Sequence, residues 1–187
     1  MKLTSLKFAN TFFSIALLMA FSLLCAKTMA IGVDADDFIE EASAKGIAVI
    51  ELGKVAVQKS SLPEVKAFAK KMIEDHSTLN KDLRALASKK NMEMADDAKL
   101  MAKAKNYMLR QREGESFDAS YINNQIDAHK ETIKLFQDAS SSTDEDVRRF
   151  AATSLPRLEQ HLSDAEALVG VIARANKNLD EKLEYSN

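Results

Sequence analysis

The sequence predicts an all-α protein folded as an antiparallel four-helix bundle. Apolar residues recur three and four positions apart over nearly all of the chain after residue 30, which is the spacing of amphipathic helices. Glycine and proline are scarce, at five and two residues, and no segment shows the strict alternation of a half-buried strand. The remaining 157 residues are enough for one domain, 31–187, with its own core.

The first thirty residues have the layout of a secretory signal peptide. Lys2 and Lys7 precede an apolar run over 12–24, and small residues follow that run. We expect cleavage after Ala30, with Ala26 as the alternative site. An uncleaved membrane anchor is the other interpretation, but the run is shorter than the roughly 20 residues that a spanning helix needs. The signal predicts export, and cleavage would leave no stable membrane span.

The composition after this segment limits the ligands and partners of the protein. Cys25 is the single cysteine and lies within the signal, and the leucines before it are not the small residues that lipoprotein processing requires. Any metal would therefore bind through histidine, carboxylate, methionine or backbone groups. Removing three lysines leaves 23 basic against 28 acidic residues in a mixed pattern, so we expect no nucleic-acid partner.

Helix one is predicted over about Asp34–Lys59, with acidic residues at its start, where the helix dipole favours them. Gly46 and Gly53 are seven residues apart on its apolar stripe, so another helix can approach closely there. The stripe comprises Phe38, Ala42, Gly46, Val49, Gly53 and Ala56.

Helix two is predicted over about Pro63–Lys89. Ser61 and Glu64 have the spacing of a capping box, and Pro63 falls in the first turn. Inward positions alternate in steps of three and four, as in a bundle seam. They are Val65, Phe68, Met72, His76, Leu79, Leu83 and Leu86. A shorter amphipathic segment, Asp96–Arg112, adds a short helix before helix three.

Helices three and four repeat the same rhythm. Helix three, about Ser116–Ala139, turns Ile122, Ile126, His129, Ile133 and Phe136 inward. Thr143 and Asp146 have capping-box spacing before helix four, about Asp144–Asn176, in which Pro156 should introduce a kink. Its inward positions are Val147, Ala151, Ser154, Leu158, His161, Ala165, Leu168 and Ile172. We expect the tail after Asn176 to fray.

The three histidines of the chain each occupy an inward position on a different helix. Neutral imidazole binds Zn, Fe and Cu, and bundle interiors hold metals with side chains from facing helices. One hypothesis is therefore a site for one divalent metal ion (Zn, Fe or Cu) formed by His76, His129 and His161. Glu51, within the largely apolar "GIAVIELGKVAV", is the carboxylate to add to it.

Alternative interpretations stay open at each of these positions. Each imidazole can instead order the core by bonding a nearby group, for which the sequence offers Asp75, Asp127, Glu159 and Asp164. Glu51 can pair with Lys54 at i,i+3. The sequence also leaves open whether the three rings lie at the same depth in the bundle.

Four methionines, Met92, Met94, Met101 and Met108, follow helix two. Thioethers suit Cu(I), but such residues are also adaptable apolar anchors for a covering segment. The sequence has no phosphate-binding glycine loop, nucleophile elbow or zinc-protease motif, so we assign no catalytic residue and no organic cofactor.

Three stretches resemble a family of exported bacterial proteins of unknown function, often called predicted outer membrane proteins and grouped with ferritin-like bundles. They are "GIAVIELGKVAVQKSSLPEVKAFAKKMIEDHSTLNKDL", "ESFDASYINNQIDAHKETIKLF" and "VRRFAATSLPRLEQHLSDAEAL". The resemblance covers about Asp34–Ala173. It implies a ferritin-like bundle in the periplasm, in some association with the outer membrane, and no assigned activity.

The sequence departs from di-iron ferritins at their metal motif. Those bundles use Glu-x-x-His on two helices, whereas Ile73, Ile126 and Leu158 stand three residues before the histidines. This argues against di-iron oxidase chemistry and favours a mononuclear histidine site. The alternative function is a non-enzymatic envelope stress or interaction protein whose histidines are structural. A homo-oligomer stays open with either function.

Overall fold

The all-α prediction is confirmed by a computed structural model, which describes residues 33–95 and 115–184. These ranges form four helices: α1 (Ala35–Lys59), α2 (Pro63–Lys90), α3 (Glu115–Ala139) and α4 (Glu145–Glu184). They contain no strand. The predicted signal peptide and the predicted short helix Asp96–Arg112 lie outside the described residues. Within those residues, none of the helices combines the length and the apolar character needed to cross a bilayer.

The helices pack as a square in which α1 and α4 each contact both α2 and α3. Residues 60–62 join α1 to α2 and residues 140–144 join α3 to α4, so each of these pairs is antiparallel. The C-terminal half of α2 packs with the N-terminal half of α4, which makes that pair antiparallel as well. The end of α2 and the beginning of α3 therefore lie at opposite ends of the bundle.

The N-terminus of α1 is capped by Asp34, whose Oδ1 accepts the Asp36 N–H at 2.9 Å. The N-terminus of α2 differs from its prediction. The predicted capping box of Ser61 and Glu64 is wrong, because the N-cap is Leu62 and no side chain caps this helix. Ser61 is engaged elsewhere. Its N–H and its hydroxyl both donate to Asp118 Oδ2 of α3, at 3.2 and 2.9 Å.

The beginning of α4 is also capped differently from its prediction. Asp144 Oδ1 accepts the N–H groups of Asp146 and Val147, at 3.0 and 3.1 Å, so Asp144 is the capping residue in place of Thr143. An aspartate is as good a cap as a threonine or better, which explains the shift by one residue. The helix continues through Pro156 to Glu184, beyond the predicted end at Asn176.

The inward stripes predicted for the four helices form the core, which consists of two apolar clusters. Phe38, Leu83, Phe136 and Val147 are members of the first cluster. The second is at the other end of the bundle and includes Phe68, Tyr121, Ile122 and Ile172. Along α2, α3 and α4, a histidine lies between the residues that each helix gives to the two clusters. The core is thus divided by a layer of imidazoles.

The two predicted glycines let α1 and α2 approach closely. A Cβ on Gly46 would overlap the Asn80 side chain. A Cβ on Gly53 would lie 2.9 Å from Ile73 Cγ1 and 3.1 Å from the Ala69 carbonyl oxygen. Both contacts are made by α2, so α1 and α2 can pack at this distance only because these two positions are glycines.

Gly53→Ala is expected to destabilise the protein by about 1–3 kcal/mol, because the added methyl group forces the backbone and Ile73 to shift. Gly170→Ala is the matched control. A Cβ there would meet only Arg174 Nη1 at 3.4 Å, so that alanine should stabilise α4 by up to about 1 kcal/mol. Urea denaturation of the two variants measures the difference. Equal free energies of unfolding would contradict the proposed close approach.

Candidate metal centre

The structure brings His76, His129 and His161 together in the layer between the two apolar clusters. All three side chains are buried, with at most 2% of each residue exposed. The ring centres form a nearly equilateral triangle with sides of 5.3, 5.3 and 5.4 Å. One nitrogen from each ring lies within 4.8 Å of the nitrogens offered by the other two. The three rings therefore share one depth and one interior point.

The size of this triangle fits one metal ion. An ion bonded at about 2.1 Å to an imidazole nitrogen lies about 3.2 Å from the ring centre, and tetrahedral angles then place ring centres about 5.2 Å apart. The observed separations agree with this value. Nitrogens on such an ion are about 3.4 Å apart, and His76 Nε2 is 3.3 Å from His129 Nε2. The nitrogen offered by the third ring lies within 4.8 Å of the other two.

His129 is oriented by the backbone of its own helix. Its Nδ1 lies 2.8 Å from the Gln125 carbonyl oxygen, which can only accept, so Nδ1 carries the proton. The neutral ring then has its lone pair on Nε2, the atom that faces His76. A histidine whose outer N–H donates to a backbone carbonyl is the usual arrangement of a metal ligand.

His161 is oriented by a carboxylate on the neighbouring helix. Its Nε2 donates to Asp75 Oδ2 of α2 at 2.8 Å, which leaves the lone pair on Nδ1. That Nδ1 is buried and has no hydrogen-bond partner within the described residues. Carboxylate, imidazole and metal form such a triad in many zinc sites, because the carboxylate fixes the ring and increases its basicity.

His76 is poorly satisfied by the protein alone. Its Nδ1 is buried without a partner in the described ranges, and its Nε2 faces only the His129 Nε2 lone pair. Their separation of 3.3 Å is longer than an ordinary hydrogen bond. An unpartnered buried polar atom costs about 1–3 kcal/mol. A cation shared with His129 would remove part of this deficit.

Burial keeps the three rings in the neutral form that ligates metals. Desolvation lowers the pKa of His129 from 6.5 to about 4, although its bond to Gln125 opposes the change. Burial also lowers the pKa of His76, and the other two histidines and Arg157 lower it further. The pKa of His161 is lowered by burial as well, against the opposing effect of Asp75.

Helix α1 adds no ligand to this layer. Glu51, predicted as a fourth ligand, is not among the converging groups of the described residues. Its carboxylate instead pairs with Lys54 Nζ at 2.5 Å, which is the alternative that the i,i+3 spacing offered. Between the α1 residues of the two clusters, the buried residues are Ser43, Gly46 and Ile47, none of which has an imidazole or a carboxylate. The layer therefore offers three candidate ligands, the imidazoles of α2, α3 and α4.

A pocket of about 230 Å³ opens beside the histidines, between α2 and α4. Two of the three rings line it, those of His76 and His161, together with Asp75, Asp82 and Arg157. His129 belongs to α3 and is not part of the lining. The site is thus closed by α3 on one side and adjoins a polar pocket on the other.

The sequence did not reveal which groups orient the rings. Asp75 was a candidate partner for its neighbour His76, but consecutive residues on a helix face different directions, and it bonds His161 on α4 instead. Asp127 and Glu159 are exposed, and Asp164 bonds Lys71 and Gln160. Met92 and Met94 pack against the first apolar cluster, as anchors would, whereas Met101 and Met108 lie outside the described residues.

Comparison with known proteins agrees with a bundle of unassigned function. Residues 24–168 match the family described as a domain of unknown function, DUF4142. The chain belongs to this family. No curated protein matches it. A crystal structure of a conserved hypothetical protein, rv2844, from Mycobacterium tuberculosis is similar with a TM-score of 0.56. The alignment has 15% identity and covers 71% of this chain and 88% of the other, so it concerns the fold alone.

Residues 33–95 and 115–184 of the DUF4142 chain place no di-iron ligand set around the histidines. Ile73 and Ile126 are partly buried apolar residues, and Leu158 is fully buried in the first cluster. Within the described residues, the converging group contains imidazoles only. A carboxylate-bridged pair of ions would need several carboxylates at these positions. The geometry suits a single ion.

Proposed function

We propose that this DUF4142 protein binds one divalent transition-metal ion through His129 Nε2, His161 Nδ1 and one nitrogen of His76. The observation that carries the proposal is the triangle of buried ring centres, 5.3–5.4 Å on a side, at the size that a single ion requires. Neutral imidazoles suit Zn, Cu and Fe, which makes these the metals to test.

The hydrogen bonds of the rings favour this function over a structural role. In a purely structural layer, each buried nitrogen would be expected to find a partner in the core. Here the outer nitrogens of His129 and His161 have acceptors, whereas His76 Nδ1 and His161 Nδ1 have no hydrogen-bond partner within the described part of the chain. Protein groups on the outside and lone pairs on the inside are what a metal site requires.

We also propose a ferritin-like topology and an exported location. One long connection, over residues 91–114, and a site built in the middle of the bundle are features of ferritin-like proteins. The N-terminal pattern predicts a signal peptide and delivery to the periplasm, where association with the outer membrane is a further possibility to test. Imidazole ligands suit an oxidising compartment, since they do not form disulfides as thiolates do.

Zinc titration of metal-free protein, prepared without a histidine tag, tests the metal site. We expect one equivalent of Zn²⁺ to bind. His129→Ala should weaken the affinity by at least about 100-fold, since losing a ligand exceeds the 10–100-fold effect of losing a partner that orients one. Competition with a chromophoric chelator gives both the stoichiometry and the affinity. Circular dichroism shows whether the variant is folded.

Two further variants make the result specific. Asp75→Asn keeps all three rings but removes the carboxylate that holds His161, so zinc should bind about 10–100-fold more weakly. Glu51→Gln alters a carboxylate that is paired with Lys54, and its affinity should equal that of the wild type. Absence of zinc, copper and iron binding, or unchanged zinc affinity in His129→Ala, would establish the histidines as structural.

A further inference from the structure

We propose that the metal ion keeps an open coordination position toward the pocket between α2 and α4, where it binds a small anion assisted by Arg157. This inference rests on the proposed metal site and names the class of ligand that the site takes. Metal sites with three protein ligands and one exchangeable position are those that bind exogenous ligands, whereas structural sites are closed by four.

The position of the pocket relative to the rings gives the direction of this opening. His76 and His161 line the pocket, and His129 approaches from α3 without lining it. An ion at the centre of the triangle is therefore held from behind by His129. The two rings at its sides are also walls of the pocket. The buried residues of α1 between the two clusters, Ser43, Gly46 and Ile47, add no carboxylate that could close the remaining position.

The pocket is large enough for a small ligand and its water. Its volume of about 230 Å³ equals that of several water molecules at about 30 Å³ each. Thr153 and Ser154 add hydroxyl groups to the lining, although their hydroxyls already donate to backbone carbonyls of α4. A cavity of this size suits a carboxylate, an azide or a bicarbonate rather than a drug-sized molecule.

The charges around the pocket favour an anion. Neutral imidazoles leave the ion with its double positive charge, and Asp75, bonded to His161, offsets one unit. Arg157 lies one turn before His161 on the same face of α4, and it lines the pocket as a permanent cation. Asp82 is exposed and offsets a further charge. The net field at the open position is thus positive.

Azide binding to the cobalt-loaded protein tests this inference. Co²⁺ replaces Zn²⁺ in sites of this kind, and its visible spectrum changes when an anion enters its coordination sphere. We expect azide to alter the cobalt absorption bands saturably. Arg157→Gln should weaken azide binding by about 5-fold, the size of an attraction near 1 kcal/mol at an exposed site, and high salt should weaken the wild type similarly.

Asp82→Asn is the matched control, since it changes a charge in the same pocket with the opposite sign. Azide should bind this variant as tightly as the wild type or more tightly. If the anion is not assisted by Arg157, the two variants will have equal affinities. A cobalt spectrum that no concentration of azide alters, in protein that remains folded, would overturn the open position.

The cobalt stoichiometry separates this inference from the proposed function. Binding of one equivalent of cobalt with no response to azide would leave the metal site in place and remove only the open position. Absence of cobalt and zinc binding would overturn both. Azide binding that is retained in His129→Ala, without the metal, would assign the anion to the pocket alone and also contradict the inference.

Discussion

Lowering the pH from about 7.5 to about 5 is expected to destabilise the metal-free protein by several kcal/mol. Three imidazoles are buried in the layer between the apolar clusters, and protonation of each becomes unfavourable in the folded state. The unfolded chain takes up these protons readily, since its histidines titrate near 6.5. Acid therefore favours the unfolded state.

His129 gives the sign and the size of the change in the free energy of unfolding. Its pKa is lowered from 6.5 to about 4 in the folded protein, so between these values the unfolded chain binds a proton that the folded chain does not. The stabilisation is fully present above the unfolded pKa and is lost as the pH falls through the window down to the folded value. At about pH 5, the loss from this ring alone is about 2 kcal/mol.

The other two rings act in the same direction, because burial lowers the pKa of His76 and of His161. Asp144 and Asp146 do not contribute in this window. Asp144 and Asp146 pair with Lys90, and Asp146 also with Lys89, and these contacts lower their pKa values below 3.8. Their protonation follows only at more acidic pH, where the salt bridges of the bundle ends are lost.

Urea denaturation at several pH values, with a chelator present, measures this dependence. The matched variant replaces all three histidines by leucine, and its free energy of unfolding should be nearly constant between pH 7.5 and 5, apart from a small contribution of other groups. A wild-type free energy that is equally flat would show that the rings are not buried in neutral form.

The bundle could be predicted because the spacing of apolar residues within each helix already indicates which face is buried. Spacings of three and four residues identify an inward stripe on each helix, and Phe38, Met72, Phe136 and Leu158 are buried as this pattern requires. The same spacing turned all three histidines inward. What periodicity cannot supply is depth, since the level of a residue in a bundle depends on how each helix slides against its neighbours. That register is set by the loops and by the close contact at Gly53.

Groups that act between helices were the least predictable. Asp75 orients His161 from another helix, and the pairing depends on the rotation of α2 against α4. Ser61 fits a local capping motif, yet its hydroxyl is drawn to the buried Asp118 of α3. Glu51 could be assigned to either of two roles from the sequence, and the rotation of α1 decided for the pair with Lys54. At Ser61, a contact with another helix replaces the capping interaction that the local sequence predicted. At Glu51, the fold selects one of the two roles that the sequence allowed.

Replacing His76, His129 and His161 together by leucine is expected to stabilise the metal-free protein by up to about 4 kcal/mol. Leucine has nearly the volume of histidine, and it removes two buried nitrogens without a partner, His76 Nδ1 and His161 Nδ1, which cost about 1–3 kcal/mol each. The lost hydrogen bonds to Gln125 and Asp75 offset about 1 kcal/mol each. The two apolar clusters would then become one continuous core.

Zinc should reverse this order of stability. A ligand that binds only the folded state stabilises it by about 4 kcal/mol at a free concentration 1,000 times its dissociation constant. For a chain of this size, that corresponds to an increase of roughly 8–16 °C in Tm. The wild type should gain this increment, whereas the leucine variant should gain nothing. Thermal denaturation with chelator and with saturating zinc measures all four values.

Met72→Leu controls for repacking of the seam, since Met72 is fully buried one turn before His76. This nearly volume-conserving change should cost less than about 1.5 kcal/mol and leave the zinc increment intact. If the leucine triple variant were less stable than the metal-free wild type, the imidazoles would be structural members of the core. If it is more stable and indifferent to zinc, the layer lowers the stability of the empty bundle, and ligand binding is the reason that remains for three imidazoles at one level.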